Sequence, residues 1–362
     1  MSREKSSVLI MAGGTGGHIF PGLAVAEKLR QCGVDVRWLG AQGGMECLKV
    51  PTAGIPLDVV AISGLRGKGA GRWLSMPWKL LRAVYQAFTL IGEHTPCCAI
   101  SFGGYAAGPG GLAARLRGIP LLVHEQNRIP GMTNQVLARF AKRVLQAFPG
   151  TWDEKLEPES CGNPVRKSVT ELHAPASRMA GRQGAIRILV TGGSQGARAL
   201  NLLLPEALTL LPPDPGFEVR HQAGKNRDDE TRGAYRKAGI EAEISEFIDD
   251  MAEAYGWADI VVCRSGALTV SELAAAGVAA ILVPFPYAVD DHQTRNAEFL
   301  VEAGAAVLMP ETGITAELVA DILLSLAADR KNLVQMAENA RTVSVPDSAE
   351  RVAGLCMEYL AP

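Results

Sequence analysis

The chain predicts an α/β protein made of two similar halves, each an open sheet of parallel strands. Short apolar runs alternate with helical stretches along most of its 362 residues, as strands joined by right-handed crossover helices do. The run Val8-Leu9-Ile10-Met11 enters Gly13-Gly14-Thr15-Gly16-Gly17-His18 and then a helical segment from Pro21. A second entry of the same design follows Ile186-Arg187-Ile188-Leu189-Val190, through Thr191-Gly192-Gly193-Ser194-Gln195-Gly196-Ala197. Ligands of open α/β sheets sit at the carboxyl ends of strands, where glycines bring backbone N–H groups close to an anion. Two such entries, one opening each half, imply two domains facing one ligand.

Composition agrees with this class. Hydrophobic residues make up 48% and charged residues 20%, which suits well-buried sheets. A net charge of -2 gives no ground for nucleic acid as a partner. Seven cysteines without a C-x-x-C pair point to a reducing compartment, with Cys97-Cys98 read as buried thiols. The apolar run after Met1-Ser2-Arg3-Glu4-Lys5 is too short for a signal peptide. Glycines and prolines break the apolar tracts Pro96 to Ala114 and Leu273 to Val289, so no spanning helix is expected.

In order along the first half, Val34 to Gly40 reads as the second strand and Gly64 to Arg72 as a loop. Leu80, Leu81, Val84, Ala87, Phe88 and Ile91 recur at helical spacing. Ala99 to Phe102 is a strand opening into Gly103-Gly104-Tyr105, and Pro120 to Val123 is another, ending at His124-Glu125-Gln126-Asn127. The pattern thins from Pro149 to Ala185, where the halves connect. Beyond it Val219 to Gln222, Glu246 to Ile248, Asp259 to Cys263 and Ala280 to Val283 read as strands, and Asp347-Ser348-Ala349-Glu350 as a capping box.

The glycine turns match neither common nucleotide fingerprint. Ile19 stands where G-x-G-x-x-G needs its third glycine, and no acid closes the strand at Trp38-Leu39-Gly40. Neither turn has the P-loop lysine. The stretch Cys263 to Gly277 is more telling: a strand end, a small-residue turn, a helix and a glycine cap. The N–H groups of Gly266, Ala267 and Leu268 would hold a diphosphate, and such a helix end contributes about 1 kcal/mol. Glu272, among Leu268, Val270 and Leu273, is placed to accept from ribose hydroxyls. Asp290 to Asn296 opens another helix with short polar side chains suited to sugar hydroxyls. There is no D-x-D pair for a metal, and Asp249-Asp250 and Asp290-Asp291 read as helix caps.

Taken together, these blocks resemble the MurG-type enzymes of bacterial peptidoglycan synthesis. The resemblance runs through Gly13 to His18, Gly103-Gly104-Tyr105, His124 to Asn127, Asn163-Pro164-Val165-Arg166, Gly192 to Arg198, His221 to Lys225, Phe247 to Met251 and Cys263 to Gly277. It implies a GT-B arrangement of two Rossmann-like domains about a central cleft. Residues 1–165 would take the lipid-linked acceptor and the membrane, 166–345 the UDP-sugar, and 346–362 a helix returning to the first domain. The implied reaction moves N-acetylglucosamine from UDP-N-acetylglucosamine to the C4 hydroxyl of undecaprenyl-pyrophosphoryl-N-acetylmuramyl-pentapeptide, with inversion and without a cofactor. Ile248 would meet the uracil, Glu272 the ribose, Ala267, Leu268, Thr269, Val270, Ser271 and Ser194 the diphosphate, and Gln293 the sugar. Thr15, Gly16, Gly17, Asn127 and Arg166 would close that site, while Gly14, Gly103, Gly104 and Tyr105 would hold the acceptor diphosphate. Ala107 stands where relatives often carry serine or threonine, so a side-chain donor is missing from that turn.

For the base there are two candidates, His18 and Glu125. An imidazole exchanges protons near neutral pH, and general-base catalysis is worth about 10²–10⁴-fold. From Val59 to Gly92 there is no acid, while Arg66, Lys68, Arg72, Lys79 and Arg82 accompany Trp73 and Trp78. That mixture suits peripheral contact with anionic lipid, at about 1 kcal/mol per cation. The expected location is the cytoplasmic face of the inner membrane, among proteins of wall synthesis and division. An epimerase or a UDP-sugar sensor would share the nucleotide site without needing the lipid-facing segment.

Overall fold

The computed structural model describes residues 7–62, 71–193, 195–214 and 216–360, with only the backbone of 71–76 and 289. The chain divides into two compact units, Met1–Val165 with Val345–Pro362, and Arg166–Ser344. In the first, strands Ser7–Ala12 (β1), Asp35–Ala41 (β2), Leu57–Val60 (β3), Cys98–Gly103 (β4), Leu121–Glu125 (β5), Arg143–Gln146 (β6) and Glu159–Ser160 (β7) form one sheet. Its order is β3-β2-β1-β4-β5-β6-β7, with parallel pairing throughout.

Strand periodicity divides this sheet's side chains between two cores. Val8 and Ile10 share one face with Val36, Trp38, Ile100 and Leu122. Leu9 and Met11 share the other with Leu39, Ala99 and Val123. Trp38 sets the seat of the helix Gly16–Gln31: its indole N–H donates to Ala12 O at 2.8 Å. A Cβ at Gly22 would lie 2.7 Å from the Trp38 ring, so glycine is what lets the helix approach. The helix Ser348–Met357 belongs to the first face, where Val352, Ala353 and Cys356 are buried with Val8 and Ile10.

In the second unit, strands Ile186–Thr191 (β8), Phe217–Gln222 (β9), Glu243–Ser245 (β10), Ile260–Cys263 (β11), Ala279–Leu282 (β12) and Ala306–Leu308 (β13) form a parallel sheet. Its order, β10-β9-β8-β11-β12-β13, repeats that of the first six strands. Both sheets therefore reverse direction of winding between their first and fourth strands, beside β1 and β8. That is the switch point where open α/β sheets bind ligands.

Two local expectations are corrected. The strand expected at Glu246 to Ile248 lies at Glu243–Ser245, because Ile244 is the buried apolar residue while Phe247 is exposed. Asp250 already caps the next helix, accepting from Glu253 N–H at 2.9 Å. The capping box at Asp347 does not form. Its backbone is near-helical (φ -92°, ψ 18°) rather than extended, and no side-chain cap bond is made. Asp347 pairs instead with Arg351, and Glu350 with Lys28.

Each unit buries one neutral histidine. His124 Nε2 lies 2.9 Å from Gly162 O, and His221 Nε2 lies 3.0 Å from Asn201 Oδ1. Burial pushes His124 down to about 4 and His221 down to about 3. Unfolded, both take up protons near pH ~6.5. Stability is therefore whole above that pH and is lost as pH falls toward the folded values. At pH 5 each imidazole costs about 2 kcal/mol. The thermal midpoint should fall from pH 7 to pH 5, and His221→Gln should lower it at pH 7 but shrink the pH difference. A variant with the wild-type difference would refute the assignment for His221.

Candidate functional site

In the first unit, β1 runs into Gly13 and Gly14, and Thr15 caps the helix Gly16–Gln31 with extended dihedrals and no side-chain cap bond. Gly14 takes φ +92°, a conformation open to glycine. The turn brings His18 back over it, with Nδ1 3.1 Å from Gly13 O. A carbonyl can only accept, so Nδ1 carries the proton of this bond. The second turn, after β4, lies against this one. A Cβ at Gly104 would overlap Gly13's carbonyl, and one at Gly103 would sit 3.3 Å from His18 Nε2. Tyr105 is exposed beside them, and Ala107 is buried at the start of the helix Ala107–Leu116.

Glu125, the other candidate base, is heavily committed. Oε1 accepts from the N–H of Gln126 and Asn127 and from Asn127 Nδ2, at 3.0–3.1 Å. Oε2 accepts from Gly131 N–H at 3.1 Å and Asn134 Nδ2 at 2.9 Å. Five donors hold one carboxylate that is only 2% exposed. A further acid, Glu46, was not among the expected residues. It is fully buried and accepts from Gly14 N–H at 3.1 Å and Ala41 N–H at 2.9 Å. The signal for it in the sequence was the cluster of glycines, Gly40, Gly43 and Gly44, just before an acid.

The second unit offers an anion seat. β11 ends at Cys263, and the helix Ala267–Ala276 starts at Gly266 with no acid in its first turn and no side-chain cap. Its leading N–H groups, from Ala267 to Thr269, have no partner within the helix. At its other end Arg178 donates to Ala276 O and Gly277 O, and Arg341 to Ala275 O. Cations on the carbonyl end and open N–H groups at the start both favour a negative ligand at the start. Ser271 Oγ donates to Ala267 O at 3.0 Å, so that hydroxyl is turned onto the helix.

Glu272 is buried one turn farther on. Tyr255 O–H donates to Oε2 at 3.2 Å, and Arg166 Nε lies 3.3 Å from Oε1. Burial raises the Glu272 carboxyl above its ordinary range, with Arg166 and Tyr255 pulling the other way. The expected residues Arg166 and Glu272 thus meet as an ion pair, which spacing alone did not suggest. Gln293 Oε1 accepts from Phe285 N–H at 2.9 Å, fixing the amide. Ile248 is half-buried in the turn after β10, and Ser194 lies outside the described residues. Asp250 caps a helix, whereas Asp291 makes no side-chain cap bond and accepts from Thr294 Oγ1. Among the described residues no three His, Cys, Asp or Glu side chains cluster as metal ligands.

The helix Gly71–His94 turns Ala83, Ala87 and Ile91 into the core. Trp78 (77% exposed), Leu81 and Tyr85 face outward, with Lys79 and Arg82 also exposed. Leu80, beside Leu81 in the helically spaced apolar series, is exposed as well. The side chain of Trp73, with Arg66, Lys68 and Arg72, falls outside the described residues. No described helix is long and apolar enough to cross a membrane.

Residues 8–146 match the N-terminal domain of glycosyltransferase family 28, and residues 187–352 match its C-terminal domain. A Marinobacter nauticus protein is 52% identical over 97% of this chain and 96% of its own length. A Xanthomonas campestris protein is 55% identical over 97% of this chain and 81% of its own. Both are named UDP-N-acetylglucosamine–N-acetylmuramyl-(pentapeptide) pyrophosphoryl-undecaprenol N-acetylglucosamine transferase. The crystal structure of Acinetobacter baumannii MurG is similar over 98% of this chain and 99% of that one, with 40% identity and a TM-score of 0.84.

The five donors around Glu125 make a stability prediction. Glu125→Gln replaces an acceptor oxygen by an NH₂ facing donors, at a cost of about 2 kcal/mol. A lowered thermal midpoint is expected, and an unchanged one would show that the network is dispensable.

Proposed function

The chain belongs to the MurG-type transferases of glycosyltransferase family 28, and from that premise we propose the reaction and the residues that carry it. The enzyme transfers N-acetylglucosamine from UDP-N-acetylglucosamine to the C4 hydroxyl of the muramyl sugar on undecaprenyl-pyrophosphoryl-N-acetylmuramyl-pentapeptide. The second unit takes the nucleotide and the first takes the acceptor. The observation that supports this division best is the helix Ala267–Ala276, with open N–H groups at its start and Arg178 and Arg341 on its closing carbonyls.

The uridine lies against the backbone of Ile248, and the ribose hydroxyls donate to Glu272, whose carboxylate Tyr255 and Arg166 already orient. The diphosphate sits on Ala267, Leu268 and Thr269. Gln293 reads the sugar, together with Asn127 and the turn Thr15-Gly16-Gly17. The acceptor diphosphate meets Gly14, Gly103, Gly104 and Tyr105. The acceptor oxygen attacks the anomeric carbon as the bond to UDP breaks, inverting the α-linkage to β. Negative charge grows on the leaving diphosphate, where prearranged N–H donors stabilise it.

His18 Nε2 receives the proton. Its Nδ1–H is spent on Gly13 O, so the basic nitrogen is the one facing the Gly103 turn. Glu125 shapes its own loop, because both its oxygens are already engaged by five donors from that loop and the helix after it. Label from UDP-N-acetylglucosamine should pass to a short-chain lipid-linked muramyl acceptor. His18→Asn should lower kcat by about 10²-fold or more while UDP affinity stays near wild type. Label passing at the wild-type rate would remove His18 from this role, and no transfer by the wild type would overturn the reaction itself.

The outward face of the helix Gly71–His94 docks on anionic lipid at the cytoplasmic face of the inner membrane. Trp78 and Tyr85 enter the interface while Lys79 and Arg82 meet head groups. In co-sedimentation with phosphatidylglycerol vesicles, the triple variant Trp78→Ala, Lys79→Ala, Arg82→Ala should bind about tenfold more weakly or worse. Equal binding would place the membrane contact elsewhere.

A further inference from the structure

The turn that carries His18 rests on a buried acid with no assigned role. Glu46 opens the short helix Glu46–Thr52, yet its side chain reaches back beneath the loop after β1. It fills the space that a Cβ at Gly13, Gly40 or Gly44 would need, so three neighbours are glycine around it. An apolar side chain would fill that space without the desolvation that a buried carboxylate suffers. The carboxylate is there for its charge and its acceptors.

Those acceptors reach His18 through one peptide unit. Oε2 takes the N–H of Gly14, and the carbonyl of the same Gly13–Gly14 peptide takes the proton on His18 Nδ1. A peptide group is a planar, resonance-coupled unit. An anion on its N–H draws electron density toward its oxygen and strengthens the bond made there. We infer that Glu46 is a positioning residue for the transfer reaction, holding His18 through the Gly13–Gly14 peptide as the Nδ1–H tautomer with the Nε2 lone pair presented. A carboxylate commonly fixes a catalytic imidazole by direct contact. Here a peptide bond is interposed between the two. The inference rests on His18 being the base.

The test combines kinetics with nitrogen-15 NMR of the imidazole in the full-length enzyme. Wild-type His18 should be the Nδ1–H tautomer at neutral pH, a measurement that needs no variant to fold. Glu46→Gln keeps the volume but cannot accept both N–H bonds. It should lower kcat between about 10- and 100-fold, leave KM for UDP-N-acetylglucosamine within about twofold, and populate the Nε2–H tautomer. Added to His18→Asn, it should cause no further loss of kcat, since its effect passes through the ring. An equal loss in both backgrounds, or a wild-type ring protonated on Nε2, would overturn the inference. If His18→Asn itself keeps the wild-type kcat, the base assignment has failed. If His18→Asn is inactive but Glu46→Gln is wild type in kcat and tautomer, only Glu46's role has failed.

Discussion

Backbone meets backbone where β1 and β4 end, and the first unit is arranged around that contact. The carbonyl of Gly13 occupies the place where any side chain at position 104 would begin. The two strands run in parallel register from Val8 opposite Cys98 to Met11 opposite Ser101, then slip so that Ala12 faces Gly103. That irregularity swings the second turn onto the first. Two loops this close have little room for side chains, so they are held from behind by Glu46 under one and by Asn134 and Ser101 beside the other.

The two units share a strand order and use it with opposite electrostatics. In the first, buried carboxylates collect backbone N–H groups and so fix where the turns point. In the second, guanidinium groups collect the carbonyls at the far end of the helix Ala267–Ala276, leaving its opening N–H groups uncommitted. Each choice follows from what the turn presents. Peptides bound from behind fix a loop's direction, whereas open N–H groups leave a helix start able to take an anion.

What the sequence made legible follows the length and burial of each element. β1, β4 and β11 are buried along their whole length, β8 everywhere but at Arg187, and all four read as apolar runs. β3, β7, β10 and β13 are two to four residues long, with too few positions to show a period. The slip at Glu246 to Ile248 has that origin: Phe247 and Ile248 are apolar, but they form the turn after the strand. Glycine turns were legible as turns, with Gly14, Gly103, Gly104 and Gly193 all at positive φ. Of the acids behind them, Glu125 was singled out as a candidate base and Glu46 was missed, because both bind main-chain N–H groups that no residue pattern records. The outward stripe of Trp78, Leu81 and Tyr85 was half legible. Helical spacing was apparent, but which side faces the core depends on alanines 83 and 87.

The helix Ser348–Met357 carries one more implication. Its Val352, Ala353 and Cys356 complete the hydrophobic face that begins with Val8 and Ile10, some 340 residues earlier in synthesis. While the ribosome is still making the second unit, the nascent first unit leaves that patch of its sheet bare. Domains otherwise tend to mature from the amino end onward. Here an early strand is sealed by a helix made some 340 residues later, so the whole second unit must be synthesised before the first is fully closed.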